Sequence, residues 1–366
     1  MTKNILIAGA GKIGSAIAAL LAATPDYTVT VADASPQALA GIKTGPRVQR
    51  LTLDITDPIA LRAALAGQYA VLSAAPFHLT TLIAEAAVAQ GVHYLDLTED
   101  VASTRRVKEL AATARTALIP QCGLAPGFVS IVAADLCKRF DSLHSVRMRV
   151  GALPQFPSNA LNYNLTWSTD GVINEYCEPC EAIVEGVLRQ VPPLAEHEEF
   201  SLDGVTYEAF NTSGGLGTLC ETLLGQVAHL NYKTIRYPGH AAIMKVLLND
   251  LRLRERRPVL KDLLENALPV TLQDVVIVFV TVSGMKDGRL VQNTYARKTY
   301  AHVLAGKLRS AIQITTASSL CAILDMLATG QLPQQGFVRQ EDVRLADFLA
   351  NRFGRVYAMD ELAKAA

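Results

Sequence analysis

Asn4-Ile-Leu-Ile-Ala8, running directly into Gly9-Ala-Gly11-Lys12-Ile13-Gly14 and then into a small-residue stretch from Ser15 to Ala23, decides the fold of this chain. The first run reads as a strand and the last as a helix. The three glycines have separate steric tasks: a tight turn, close approach of backbone to a pyrophosphate, and close packing of helix on strand. Unpaired N–H groups at the helix start stabilise an anion without a basic side chain. A second strand, Thr28 to Ala32, ends on Asp33, nineteen residues past Gly14. That is the context in which a glycine fingerprint signals dinucleotide binding. A carboxylate there accepts both ribose hydroxyls and repels a 2′-phosphate, and no Arg or Lys lies between 34 and 42, Lys43 being the nearest. NAD is therefore expected over NADP.

Outward from this unit, apolar runs at Val48 to Leu53, Ala70 to Ala74, His93 to Leu97 and Ala117 to Pro120 alternate with Ala-rich helical segments near 58–66, 79–90 and 101–115. Such alternation predicts a parallel sheet covered on both faces. After Pro126-Gly127 the pattern changes. Strands are expected at Val146 to Val150, Tyr232 to Tyr237, Val275 to Val282 and Leu290 to Tyr300, the last two joined across Gly284-Met-Lys-Asp-Gly288. The apolar helix from Ala311 is expected to return to the first domain. The expected fold class is α/β: a Rossmann dinucleotide-binding domain, residues 1–125 plus 311–366, with a second α+β domain, residues 126–310, inserted in it.

Composition sets bounds. The 366 residues carry 34 Lys+Arg against 34 Asp+Glu, with 50% hydrophobic residues and mean hydropathy +0.22. Zero net charge argues against nucleic acid as a main partner. The most apolar early stretch, Ile13 to Ala23, falls short of the roughly 20 residues that span a bilayer, so no membrane partner and a cytoplasmic location are expected. Six dispersed cysteines read as reduced thiols. Cys177-Glu-Pro-Cys180 lacks a second pair and a nearby His, so no metal is expected. Within the cofactor domain, Asp54 and Ile55 are placed to border the adenine, and Ala74, Ala75 and Pro76, after the fourth strand, to let nicotinamide lie flat.

Three stretches together carry a resemblance: the N-terminal glycine motif, Cys122-Gly-Leu-Ala-Pro-Gly127, and Asn211-Thr-Ser-Gly-Gly-Leu-Gly217 followed by Tyr232-Lys-Thr-Ile-Arg-Tyr-Pro-Gly-His240. They resemble the saccharopine dehydrogenase family, most nearly its lysine 6-dehydrogenase branch. The resemblance implies a Rossmann domain completed by C-terminal residues, an inserted mixed-sheet domain, usually a homodimer, and redox chemistry at a C–N bond of a small amino-acid substrate. Saccharopine reductases of this fold commonly use NADP, and Asp33 without a neighbouring Arg departs from that pattern.

Oxidising an amine requires removal of an ammonium proton, and with a pKa near 10.4 that costs roughly 4 to 5 kcal/mol at pH 7. Asp96 and Glu99, at the end of a strand, are candidates to hold the ammonium; alternatively Thr98 caps a helix and the acids serve its N-terminus. Gly123 and Pro126 are assigned to cofactor positioning, and Cys122 reads as a buried thiol. Arg236 is the expected carboxylate clamp, since guanidinium binds a carboxylate bidentately. Period two puts Tyr232, Thr234 and Arg236 on one face and leaves Lys233 as an outward salt-bridge partner. His240 is a candidate proton shuttle. Tyr163, Asn211, Thr212 and Ser213 are expected to contact the substrate.

Overall fold

The computed structural model describes residues 2–358. The chain divides into two compact units: Met1–Phe128 with Leu304–Lys307 and Gln313–Ala366, and Val129–Val303 with Leu308–Ile312.

The first unit is built on strands β1 (Lys3–Ala8), β2 (Tyr27–Asp33), β3 (Val48–Thr52), β4 (Ala70–Ser73), β5 (His93–Asp96) and β6 (Ala117–Ile119). With a C-terminal strand, Gly336–Phe337, they form a seven-stranded sheet in the order 3-2-1-4-5-6 plus that strand, every pairing parallel. Central strands buried on both faces read as continuous apolar runs, which is why Ile5, Leu6, Ile7 and Ala8 are fully buried. Crossover helices begin where polar caps stop the strand pattern. Ser35 and Asp57 cap helices that carry Pro at the start, and Asp100, not Thr98, caps Val101–Ala111 by accepting the Ser103 N–H at 2.7 Å. Gly91, with φ +63°, closes Thr80–Gln90 in the left-handed conformation.

The helix Ala311–Ala328 is long and apolar enough to span a bilayer by length and composition, but its residues are mostly buried inside the fold. Its Asp325 ties three segments together. The Tyr27 hydroxyl donates to Oδ1 at 2.6 Å, the Asn351 amide to Oδ2 at 2.8 Å, and Arg352 pairs with Oδ1.

The second unit holds an eight-stranded mixed sheet. Its strands are β7 (Ser142–Pro154), β8 (Cys180–Val184), β9 (Val187–Val191), β10 (Glu198–Leu202), β11 (Val205–Asn211), β12 (His229–Arg236), β13 (Asp274–Lys286) and β14 (Arg289–Tyr300). The order is 10-11-12-7-13-14, with β8 paired to the start of β12 and β9 to β8, and only β7 and β12 run parallel. The hairpin between β13 and β14 is tighter than expected. Lys286 pairs with Arg289 across Asp287-Gly288, both at positive φ, a two-residue turn whose twist suits a hairpin. Gly284 lies inside the strand at a register shift, where a Cβ would come within 2.2 Å of the Ser142 carbonyl.

Asp325→Ala strands the buried Tyr27 hydroxyl and removes one of the two carboxylates paired with Arg352, Asp26 being the other, so it is expected to lower stability by about 2–3 kcal/mol. Urea unfolding against wild type measures this, and an unchanged midpoint would contradict the tie.

Candidate functional site

The strand order reverses direction between β1 and β4, and in open α/β sheets ligands bind outside the carboxyl ends of the strands at such a switch point. The glycine turn stands at that place. Gly9, at φ +113°, sits so close to β4's exit that a Cβ would meet the Ala74 carbonyl oxygen at 2.6 Å, and a Cβ on Gly14 would lie 1.9 Å from the Gly9 carbonyl oxygen. These two glycines serve the protein's own packing. Gly11 differs: a Cβ there meets nothing within 4 Å, and no side chain caps the helix Lys12–Ala22 that it precedes. An uncapped helix start beside open space fits a pyrophosphate. Lys12 is exposed and Ile13 half-buried in the first turn.

Asp33 is half-buried at the end of β2. Its Oδ2 accepts the Ala10 N–H at 2.7 Å and Oδ1 the Ser35 N–H at 2.8 Å, so the carboxylate also braces the glycine turn. Each oxygen keeps a further lone pair for a ribose hydroxyl. The two cations that follow Lys43 are engaged elsewhere: Arg47 donates to the Thr24 carbonyl at 3.1 Å and Arg50 to that of Ile42 at 2.9 Å. Ala74 and Ala75 are half-buried and Pro76 exposed just past β4. The adenine border is corrected in part. Ile55 is buried in the apolar core with Leu53 and Leu61, and exposed Asp54 closes a local turn by accepting the Thr56 N–H and hydroxyl at 2.9 and 2.7 Å.

At the end of β5, Asp96 has no exposure. Its Oδ1 accepts the Thr98 and Gln121 N–H groups at 3.0 and 2.8 Å, and Oδ2 the Tyr94 hydroxyl at 2.8 Å. Burial lifts its carboxyl to about 6 against the pull of those three bonds. The expectation that Asp96 holds an ammonium directly is therefore corrected: its oxygens join β5 to the segment after β6. Glu99, three residues on, is half-buried, and burial raises its carboxyl to about 7, with the Asp100 and Asp96 charges adding to the rise. Among the described residues it has no ion-pair partner. Gly123 and Pro126 are buried in a turn bridged between Gly123 and Gly127, where a Cβ on Gly127 would lie 2.1 Å from the Gly123 carbonyl oxygen. What they visibly do is shape that turn. Cys122 is buried, its thiol pushed well up by desolvation, and it takes the Gln340 amide at 3.3 Å.

In the second unit Arg236 ends β12 with 2% exposure and no carboxylate at ion-pair distance among the described residues. Nε donates to the Tyr176 hydroxyl at 2.9 Å, and Nη1 to the Ile235 carbonyl at 2.8 Å and the Thr234 hydroxyl at 3.3 Å. The guanidinium carbon lies 5.0 and 5.8 Å from the Tyr163 and Tyr176 ring centres. Desolvation disfavours the charge, yet the neighbouring tyrosines and Glu175 outweigh it, so Arg236 stays cationic. Among the described residues of this unit, the buried hydroxyls of Ser130, Tyr163, Thr166 and Thr212 have no hydrogen-bond partner.

Several expected substrate contacts are otherwise occupied. His240 is buried, its Nδ1 on the Leu161 carbonyl at 2.9 Å and its Nε2 on the Tyr176 hydroxyl at 3.1 Å. Burial and the Arg236 charge lower it to about 3, so it stays neutral and is no proton shuttle near pH 7. Asn211 pairs with Lys233 across β11 and β12, hence on the face opposite Arg236, and its amide donates to Pro192. The Ser213 hydroxyl donates to Pro179 at 3.0 Å. Thr212 alone of the three keeps its hydroxyl unpaired. Lys233 is ion-paired as expected, with Glu198 at 2.9 Å, but buried. Sequence reasoning missed Tyr176 and Glu208. The latter lies opposite Arg236 in register and accepts the Gly239 and Ala241 N–H groups at 2.9 and 2.6 Å, fixing the helix that carries His240.

Comparison with known proteins places this arrangement. A profile described as the saccharopine dehydrogenase NADP binding domain matches residues 5–119, and one described as the saccharopine dehydrogenase C-terminal domain matches residues 123–355. The chain belongs to the saccharopine dehydrogenase family. Among curated proteins it is similar to the saccharopine dehydrogenase [NADP(+), L-glutamate-forming] of Saccharomyces cerevisiae, 28% identical over 185 residues, 47% of this chain and 40% of that protein. The protein of the same name from Pyricularia oryzae is 22% identical over 276 residues, 71% of this chain and 60% of that one. The matches thus span about half the length of these relatives. Among solved structures, the apo saccharopine dehydrogenase (L-Glu forming) of S. cerevisiae has a TM-score of 0.77 at 17% identity, covering 95% of this chain and 97% of that one. Homospermidine synthase from Legionella pneumophila, solved with NAD, has 0.66 at 12%, covering 98% and 90%. Both share the fold.

Within the family's cofactor unit the glycines make separable predictions. Gly11→Ala places its methyl in open space, so it is expected to leave the melting temperature unchanged while weakening NADH binding at least tenfold. Gly9→Ala clashes with Ala74 and lowers the melting temperature. Fluorescence titration with NADH beside thermal denaturation checks both.

Proposed function

We propose that this protein is an NAD-dependent amino-acid dehydrogenase that oxidises the 6-amino group of L-lysine. The observation that carries the reading is Arg236. A buried guanidinium without a carboxylate costs several kcal/mol, of which two aromatic faces return about 0.5–2 each. Such a charge is suited to an anionic ligand, and the carboxylate of an amino acid supplies it with bidentate geometry. The unpaired hydroxyls of Tyr163, Thr166 and Thr212 supply donors of the kind a carboxylate accepts. Asp33, with the two cations after Lys43 engaged by carbonyls, supports NAD, although the curated relatives are named for NADP(+).

A dinucleotide held at the Gly11 turn and Asp33 would supply the hydride acceptor for oxidation at the carbon bearing the amine. Before that, the ammonium must lose a proton, and Glu99 is the group suited to take it: a carboxylate raised to about 7 by burial is half-ionised at neutral pH. The imine left after hydride loss hydrolyses with water to an aldehyde and ammonia. Asp96, closed by its three donors, holds the strand end from which Glu99 projects. A second reading, reductive condensation of an aldehyde with an amino acid to a secondary amine, is favoured by the relatives' printed names and would use the same Arg236 charge.

Turnover is followed by NADH absorbance with L-lysine or 1,5-diaminopentane, each with NAD and NADP. Lysine oxidation at least tenfold better with NAD, and at least tenfold better than the diamine, is expected. Activity only with an amino aldehyde, glutamate and reduced cofactor together would select the second reading. For Glu99, kcat/KM is expected to climb through about pH 7 as the carboxyl ionises. Glu99→Gln should cut activity at least a hundredfold and abolish that limb; a retained limb assigns the proton to another group.

A further inference from the structure

Arg236 is held by a chain of hydrogen bonds with only one self-consistent set of donors. Its Nε–H must donate, so the Tyr176 hydroxyl accepts there at 2.9 Å and has its single proton left for His240 Nε2 at 3.1 Å. Nε2 is then the acceptor, and Nδ1 carries the proton that goes to the Leu161 carbonyl at 2.9 Å. Nη1 is fixed on the backbone of its own strand at Ile235. Two of the three guanidinium nitrogens are thereby committed. Nη2 makes no hydrogen bond to a described residue. The histidine's own place is set twice over: Phe210 stacks on its ring at 6.2 Å with an interplanar angle of 7°, and Glu208 grips both backbone N–H groups flanking it in sequence.

We propose that Tyr176 and His240 are positioning residues that lock the Arg236 guanidinium with Nη2 presented to the substrate's carboxylate. This rests on the reading of Arg236 as the anion receptor. The logic is one of preorganisation: a long arginine side chain carries much rotamer entropy, and one already pinned at Nε and Nη1 does not lose it again on binding. An unpinned guanidinium in the same place stays charged but turns away into competing geometries. Neutral His240 suits this task, because a protonated ring has no lone pair to receive the tyrosine proton and would set a second cation beside the first.

The probe is glutarate, a dicarboxylate, titrated calorimetrically into the full-length protein saturated with NADH. Tyr176→Phe keeps the ring against the guanidinium and removes only the hydroxyl; glutarate affinity is expected to fall about tenfold while NADH affinity stays unchanged. His240→Leu should match that loss, and His240→Gln, which returns an acceptor near the Nε2 position, should recover most of it. A role confined to packing would lower the melting temperature in the histidine variants without the glutamine rescue. Wild-type glutarate affinity in Tyr176→Phe overturns the proposal, as does an equal loss in Leu and Gln. Arg236→Ala separates the two levels: if it too binds glutarate as wild type does, or wild type does not bind it at all, the reading of Arg236 falls along with the proposal.

Discussion

A positive charge removed from water, with no carboxylate at ion-pair distance among the described residues, is the constraint around which the second unit is organised. Arg236 has 2% exposure, and what surrounds it is tyrosine, threonine and histidine. Replacing such a group by a hydrophobic side chain of similar size is commonly neutral or stabilising, so retaining it calls for a reason outside stability. Two tyrosine faces, a fixed hydroxyl and the Glu175 field keep the charge present and oriented.

The first unit solves the complementary problem with backbone alone. Parallel strands in the order 3-2-1-4-5-6 leave β1 and β4 adjacent with their connections running to opposite sides, and the turn after β1 meets the exit of β4 at van der Waals distance. Gly9 permits that closeness, and Gly14 lets the helix start lie against the Gly9 carbonyl. Gly11 is spared it, and Asp33 fastens the turn through Ala10. The two units thus offer different kinds of group, amide N–H at a helix start in one and a caged side-chain cation in the other.

Much of this was legible in the sequence, and the boundary of legibility has a physical basis. The glycine turn, Asp33 and the alternating strands and helices of the first unit declare themselves because each is a local pattern of period, cap and turn. Arg236 was legible for the same reason, since strand alternation put Tyr232, Thr234 and Arg236 together. What escaped depends on pairing between distant segments. β9 and β10 are short and largely exposed, with little apolar periodicity. The register of β11 on β12 is what turns Asn211 away from Arg236 and sets Glu208 opposite it. Asp96 and His240 have the chemistry of site residues in the sequence, but their surroundings decide what they do: three donors close the first, and burial beside Arg236 holds the second neutral. Ile55, beside an acid at a strand exit, reads equally as a wall or as core, and only packing against Leu53 and Leu61 resolves it.

The most direct test of the account is a crystal structure of the protein with NAD and glutarate bound. The account predicts pyrophosphate oxygens on the N–H groups that follow Gly11 and a glutarate carboxylate hydrogen-bonded to Arg236 Nη2. A dinucleotide lying away from the glycine turn, or glutarate held elsewhere while Arg236 meets only protein, would contradict it.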